Sequence, residues 1–339
     1  MKPEEQPFVS ILTPVYNGEK HLAECIESVL AQTYQKWEYC IVNNCSRDRT
    51  LEIAERYAEK DKRIRIHNNK VFVGCDANGN IALQQMSSES KYCKVVHADD
   101  WLFPECIMKM VEVAEANPNV AIVCSYGLRN EYVSWDGLPY PSTVRPGREI
   151  CRNTLLGGPY VFGSPTSMLV RSDEVRKRPA FYNEANPECD IEACLDILRD
   201  SDFGFVHQVL TFTREHADAE SSVNNRLGTS YLATLEHLTK YGRVYLSNSE
   251  YEQCVQRNWR RYYAFLGAKA LQKSERGFWD FQRRALSRLG YSISKFKVTK
   301  YALTEVLDLA LNPLNTSKKI LRKICNMCTI RENKASKSQ

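Results

Sequence analysis

The chain has no run of about 18 apolar residues, so no segment of its 339 residues reads as a membrane span. Met1 to Pro7 is polar and acidic and lacks the apolar core of a secretory leader, which sets the expectation of a cytoplasmic protein. Internal repeats are missing, and low complexity is confined to the polar end, which argues against a solenoid. Cys325 and Cys328 are spaced CxxC, but no second Cys or His pair stands near them to complete a zinc site. The thirteen cysteines are scattered and odd in number. Most sit in apolar runs, as Cys93, Cys124 and Cys194 do, and read as buried thiols rather than a disulfide frame. Asn44-Cys45-Ser46 and Asn315-Thr316-Ser317 match the glycosylation sequon, but a cytoplasmic chain does not meet that machinery. Charge of one sign is scarce except at the end. The net charge is +5, and from Asn315 to Gln339 seven Lys and Arg face one Glu, so the rest of the chain is close to neutral. That body carries no basic footprint for nucleic acid.

What is present is an ordinary globular composition, 43% apolar and 26% charged. Strand and helix signals alternate through the first 125 or so residues. Phe8 to Thr13, Tyr39 to Val42, Arg63 to His67, Tyr92 to His97 and Val120 to Ser125 read as strands. Leu22, Ile26, Val29 and Leu30 share one face of a helix for which Asn17 is the expected cap. Ser46 or Asp48 is the expected cap of a second helix, and further helices are expected over about Asn78 to Gln85 and Pro104 to Ala116. Tyr126 to Tyr160 lacks clear periodicity and reads as a long loop. Thr166 to Val170 and Phe203 to Phe212 read as strands and Ile191 to Leu198 as a helix. From about Leu227 onward the pattern is helical. Such alternation predicts an α/β fold, a mostly parallel sheet flanked by helices, with a helical C-terminal extension. Ligands of these sheets bind beyond the carboxyl ends of the strands.

Three polar clusters fall at those ends. The first is Thr13-Pro14-Val15-Tyr16-Asn17-Gly18-Glu19, with Ser28-Val29-Leu30-Ala31-Gln32-Thr33 downstream. The second runs from Asn43 and Asn44 through Ser46 and Asp48 to Thr50. The third is His97-Ala98-Asp99-Asp100-Trp101-Leu102. A nucleotide base needs a stacking ring and a polar reader of its edge, which Tyr16 and Asn44 offer. Paired carboxylates suit a hard divalent cation that neutralises a departing diphosphate. The plainer readings are a turn and helix cap at Asn43 to Thr50, and a helix cap at the Asp pair.

In this order and spacing, over Phe8 to about Ser222, the clusters resemble the family 2 glycosyltransferases. That resemblance implies a GT-A fold and inverting transfer of a sugar from a nucleoside diphosphate sugar, UDP-linked. The implied acceptor is a saccharide, lipid-linked saccharide or protein, as in polysaccharide or glycoconjugate biosynthesis. It implies donor contacts from Pro14, Tyr16, Asn17, Glu19, Asn44, Ser46, Asp48, Asp99 and Arg214. It implies Mn²⁺ or Mg²⁺ at Asp99 and Asp100, with His216 from the R-x-H arrangement of Arg214 to His216. Asp190, with Glu188 in reserve, occupies the place of the family's catalytic base, at the start of a helix; first-turn acids that stabilise the helix dipole are the plainer reading. Gly163-Ser164-Pro165-Thr166 is similar to its acceptor-side turn. The other histidines receive no role.

The chain departs from the family pattern at Asn43, Asn44, His97 and Cys189, where acids are usual. The expected layout is a transferase domain over 1–225, its nucleotide-sugar half in about 1–125 and acceptor half in about 126–225, then a helical region over 226–339. Two other readings stand: a GT-A binding or scaffold protein that has lost catalysis, and a sugar nucleotidyltransferase. The latter normally shows a Gly-rich basic loop near the N-terminus, and Thr13 to Glu19 has one Gly and no basic cluster. Ser317 to Cys328 places Ile320, Leu321, Ile324, Met327 and Cys328 opposite Lys318, Lys319, Arg322 and Lys323. That pattern suits a basic amphipathic helix on an anionic membrane. The alternative is docking on the apolar face of Leu303, Val306, Leu307 and Ala310.

Overall fold

The computed structural model describes residues 6–134, 136–215, 220–272 and 277–311. They form two compact units that divide between Cys254 and Val255.

The first unit opens with β1 (Val9–Val15), α1 (Leu22–Leu30), β2 (Trp37–Asn43), α2 (Thr50–Lys60), β3 (Ile64–Asn68), α3 (Cys75–Gln84) and β4 (Tyr92–Val95). β1 lies in parallel between β2 and β4, and β2 pairs in parallel with β3. Helices cover both faces, so β1 and β2 are buried along almost their whole length and read as apolar runs rather than alternating ones. Pro14 stands in β1 after its last pair with β4, Leu12 with Val95, so its missing N–H breaks no β1–β4 pair.

The second half of the unit is mixed. It runs β5 (Trp101–Leu102), α4 (Cys106–Ala116), β6 (Val120–Arg129), β7 (Tyr132–Ser134), β8 (Val144–Pro146), α5 (Gly147–Leu155), β9 (Met168–Arg171), α6 (Ser172–Arg176), α7 (Cys189–Ile197), β10 (Asp202–Thr213), α8 (Glu220–Leu227) and α9 (Thr229–Tyr245). The sheet order is β3-β2-β1-β4-β9-β6-β10-β5, with β7 beside β6 and β8 beside β10. β9 runs antiparallel to both neighbours, β4 and β6, and joins the parallel left half to the parallel β6–β10 pair.

The expected loop from Tyr126 to Tyr160 is corrected. β6 continues to Arg129, folds back as β7, and the chain then forms β8 and α5. The strands there are three residues long, too short for a period of two to register, and α5 hides its stripe in Ile150, Cys151 and Leu155. The cap expected at Asn17 is also corrected. α1 begins at Leu22, and Asn17 takes a left-handed φ of 50° in the turn before it. Among the described residues eleven cysteines are free, nine of them buried.

α10 (Asn248–Ala270) crosses the division between the units. In the second unit α11 (Phe278–Arg288) meets the end of α10 through Tyr262, whose hydroxyl donates to Gln282 at 2.8 Å. α12 (Lys295–Leu311) exposes Leu303, Val306 and Leu307. The segment Ser317 to Cys328, including Cys325, lies outside the described residues.

Candidate active site

The acidic turn leaves the carboxyl end of β4. The chain passes through His97, Asp99 and Asp100 and immediately enters β5, which pairs Trp101 with Phe212 and Leu102 with Thr211 of β10. The Trp101 and Phe212 rings stack at 4.9 Å. That pairing sets Arg214 against the acids. Its backbone N–H donates to Asp100 Oδ1 at 3.0 Å and its Nε–H to the Asp99 carbonyl at 3.1 Å. Its outer nitrogen pairs with Glu24 of α1 at 2.5 Å. From β9's side the Thr166 hydroxyl donates to Asp100 Oδ2 at 2.6 Å and accepts from the His97 N–H at 3.1 Å. Beneath, the fully buried Lys94 donates to the Thr166 carbonyl at 2.7 Å.

His97, Asp99 and Asp100 offer one ligand atom each, all within 4.8 Å of one another. Each Asp100 oxygen accepts one hydrogen bond and keeps a further lone pair for a cation. Burial, countered by His97 and reinforced by the Asp99 charge, raises the Asp100 carboxyl to about 6. A buried carboxylate with oxygen to spare, an acid beside it and an imidazole across is a donor set that fits Mn²⁺ or Mg²⁺. His216, the other expected ligand, lies outside the described residues.

The downstream segment Ser28 to Thr33 has a plain task. Ser28 Oγ accepts from Leu102 N–H at 3.1 Å. Gln32 donates to the Phe103 carbonyl at 2.9 Å and accepts from Ile107 N–H at 3.1 Å. The end of α1 thus grips the acidic turn from behind, and this is why Ser and Gln stand at those positions.

The expected donor contacts divide into two groups. Asn17, Glu19, Ser46 and Asp48 join the loop after β1 to the loop after β2. Ser46 Oγ accepts from Asn17 N–H at 3.0 Å, Asp48 Oδ2 from Glu19 N–H at 3.0 Å, Asn17 Oδ1 from Arg47 N–H at 2.9 Å and Glu19 Oε2 from Arg49 N–H at 3.1 Å. Asp48 also accepts from Thr50 N–H at 3.0 Å, but Arg49 stands at the N-cap of α2 and no side chain caps it, so the cap expected of Ser46 or Asp48 is corrected to a bond within the loop. Asn44 is buried and commits its amide within the fold. Its Nδ2 donates to the Val73 carbonyl at 2.9 Å, and its Oδ1 accepts from Val73 N–H at 3.0 Å and from Asn69 at 3.1 Å. Asn44 therefore ties the loop after β2 to the loop after β3, at the residue that follows Phe72.

Phe72 was not singled out by the sequence. It is 60% exposed beside Tyr16, 44% exposed, with ring centroids 4.8 Å apart at 60°. An exposed aromatic in a strand-end loop was the signal available.

Further along the chain, α7 begins beside α3: the Cys189 thiol lies 3.3 Å from Asp76 Oδ1 in the first turn of α3. Asp190 and Glu188 therefore share the sheet's carboxyl-end face with the loop after β3. Burial, then the neighbouring Asp190 charge, pushes Glu188 up to about 8, so it holds its proton at neutral pH.

Residues 10–177 match the family described as Glycosyl transferase family 2. The chain belongs to it. It is a glycosyltransferase enzyme. It is 28% identical over 233 residues to an uncharacterized glycosyltransferase of Haemophilus influenzae, covering 66% of this chain and 70% of that one. It is also 28% identical over 254 residues to an uncharacterized glycosyltransferase of Rickettsia typhi, covering 73% and 77%. Among solved structures, residues 1–349 of S. aureus TarS superpose with a TM-score of 0.60 at 17% identity, over 81% of this chain and 78% of that one. TarS has been solved in complex with UDP and with UDP-GlcNAc. The mannosyltransferase PcManGT from Pyrobaculum calidifontis, in complex with GDP-Man and Mn²⁺, superposes with a TM-score of 0.54 at 14% identity, over 91% and 88%. At those identities the likeness speaks for the fold, which is GT-A.

Proposed function

We propose that this family 2 enzyme transfers a sugar from a UDP-sugar, with metal assistance and inversion, to a saccharide or lipid-linked acceptor in polysaccharide or glycoconjugate biosynthesis. The observation that carries the reading is the His97, Asp99 and Asp100 cluster, joined to Arg214 at the carboxyl end of β4. Residues 1–225 hold the transfer chemistry, with the donor in about 1–125 and the acceptor in about 126–225. The UDP complexes of TarS and the GDP-Man and Mn²⁺ complex of PcManGT support a nucleotide-sugar donor and a divalent cation.

Asp99 and Asp100, with His97, hold the cation. When bound it neutralises charge on the departing diphosphate. Arg214 holds diphosphate oxygens by exchanging its surface pair with Glu24 for the more highly charged partner. Tyr16 and Phe72 form the two apolar surfaces against which the base lies. Pro14 fixes the backbone just before Tyr16. Asp190 takes the proton from the acceptor hydroxyl as its oxygen attacks the anomeric carbon and the bond from that carbon to the diphosphate oxygen breaks. Glu188, protonated at neutral pH, is the weaker base.

The test is donor hydrolysis without acceptor, across a panel of nucleotide sugars with Mn²⁺, Mg²⁺ or chelator. UDP-sugar cleavage that depends on metal supports the reading. No cleavage of any donor favours the scaffold reading, and formation of a nucleotide sugar from a sugar phosphate and UTP favours the nucleotidyltransferase.

The basic C-terminal end extends the proposal to peripheral membrane contact. Each basic residue near an anionic surface contributes on the order of 1 kcal/mol. The full chain should sediment with anionic vesicles at low salt and release at high salt, whereas a version ending at Pro313 should not bind. Equal behaviour of the two rules out the tail as the anchor.

A further inference from the structure

We infer that His237, far along the chain from every motif above, is a positioning residue for the acceptor-activating end of α7. The inference rests on Asp190 acting as the base.

The loop from Tyr182 to Glu188 delivers α7 to the cleft, and its polar groups are held from two sides. At its start Asn80 of α3 forms a two-bond clamp on Tyr182, donating to its carbonyl at 2.9 Å and accepting from its N–H at 2.8 Å. At its end the anchor is Asn186, wholly buried. Its Oδ1 accepts from Glu188 N–H at 3.0 Å, across Pro187. Its Nδ2 donates to Glu192 Oε2 at 2.7 Å and lies 3.0 Å from His237 Nε2.

His237 comes from α9 and is 4% exposed. Burial, opposed by the Glu192 charge, lowers it to about 4, so the ring is neutral at physiological pH. A neutral ring with Nε2 accepting from Asn186 carries its proton on Nδ1, and that side bonds to the Glu188 backbone carbonyl. One ring therefore holds the residue two places before Asp190 through its backbone and the residue four places before through its side chain.

The same helix adds Lys240, one turn on, which donates to Glu192 Oε1 at 2.7 Å, while Asn183 donates to Glu192 Oε2 at 2.9 Å. Glu192, 4% exposed, thus receives three donors. Every one of these bonds ties α9, or the loop, to the first turn of α7. A helix after residue 225 in this way fixes the approach of the carboxylate to the acceptor. A neutral imidazole suits the place because it offers one acceptor and one donor at a fixed separation, on a rigid ring. A lysine or arginine offers donors only.

The experiment compares His237→Leu and His237→Gln in the full chain, with wild type and Asp190→Asn. Melting temperature and UDP affinity are read on each preparation, so that a misfolded variant is recognised. His237→Leu should lower kcat for transfer about 10- to 100-fold, the scale of a misplaced reacting group, at unchanged UDP affinity and donor KM. His237→Gln, which keeps an acceptor near the Nε2 position, should restore most of it. The Leu substitution should add little in the Asp190→Asn background, because it acts through that carboxylate. An equal fold-loss in both backgrounds, or a Gln variant as poor as Leu, overturns the proposal. If His237→Leu does not fold, the Gln variant with Asn186→Asp, which replaces the amide donor by a carboxylate, carries the same comparison. There too, kcat must fall at constant UDP affinity. Asp190→Asn within a few-fold of wild type is a different failure: it removes the base reading itself.

Discussion

The loops after β1 and β2 are tied together by four side-chain bonds to backbone N–H groups at exposed positions. The loop before α7 is tied down by Asn186, Glu192 and His237, all buried, from a helix fifty residues away. The first is local, polar and wet, so each of its bonds is worth little and the set tolerates the loss of one. The second is desolvated, so loss of one member leaves the others unsatisfied and costs more. The first frame therefore relies on chain proximity for its shape, and the second on packing.

The largest effect should come at the acidic turn, outside both frames. Asp100→Ala removes the carboxylate that Thr166 and Arg214 both address. Transfer should fall on the order of 10³-fold or more, and UDP affinity should lose its dependence on Mn²⁺. Titration of UDP with and without Mn²⁺, on wild type and variant, checks it. Identical metal dependence in the two would reduce the acids to a structural role.

Asp190→Asn sharpens the contrast from the other side. It should cost about 10²–10⁴-fold in transfer while UDP affinity stays near wild type, because the base acts on the acceptor proton. Initial rates at saturating donor, set beside UDP binding, separate the two. A variant within a few-fold of wild type moves the base to Glu188.

Phe72→Ala tests the donor side by itself. Stacking on a base is worth about 1–3 kcal/mol, or roughly 5- to 150-fold in donor KM, with kcat little changed. Asn44→Ala should produce a smaller loss of the same kind, because it frees the loop that presents Phe72. Unchanged donor KM in Phe72→Ala would take the base elsewhere.

The parallel left half of the sheet was legible because strands buried on both faces read as apolar runs and each is followed by a periodic helix. The acidic turn was legible because two carboxylates at a strand end have few structural uses. What could not be read was which polar residues face a ligand and which face the fold. Asn17, Glu19, Ser46 and Asp48 have the chemistry of a nucleotide site, yet they bond to backbone N–H groups thirty residues away. Asn44 turns its amide on Val73. Those choices depend on how two loops meet, which spacing along one loop does not encode. The short strands β7 and β8 failed for want of length, and His237 because nothing near it in sequence marks a site.

The smallest expected effect is on stability, and it distinguishes the buried frame from the exposed one by pH. Glu188 is raised from its ordinary range to about 8, first by burial and then by the Asp190 charge. Between pH 4.5 and 8 the folded chain holds a proton on Glu188 that the unfolded chain has released. Stability linked to this group is therefore fully present below pH 4.5, declines as pH rises through that window, and is lost above about 8. Glu188→Gln keeps the shape and cannot ionise, so it removes the decline. Below pH 4.5 the two proteins should melt together. At pH 9 the Gln variant should melt higher by about 2–4 °C or more, since each kcal/mol moves Tm by roughly that amount in a domain of this size. Parallel melting curves for Glu188→Gln and wild type from pH 4 to 9 would mean that the start of α7 is open to water, and the case for a desolvated acceptor frame would fall with it.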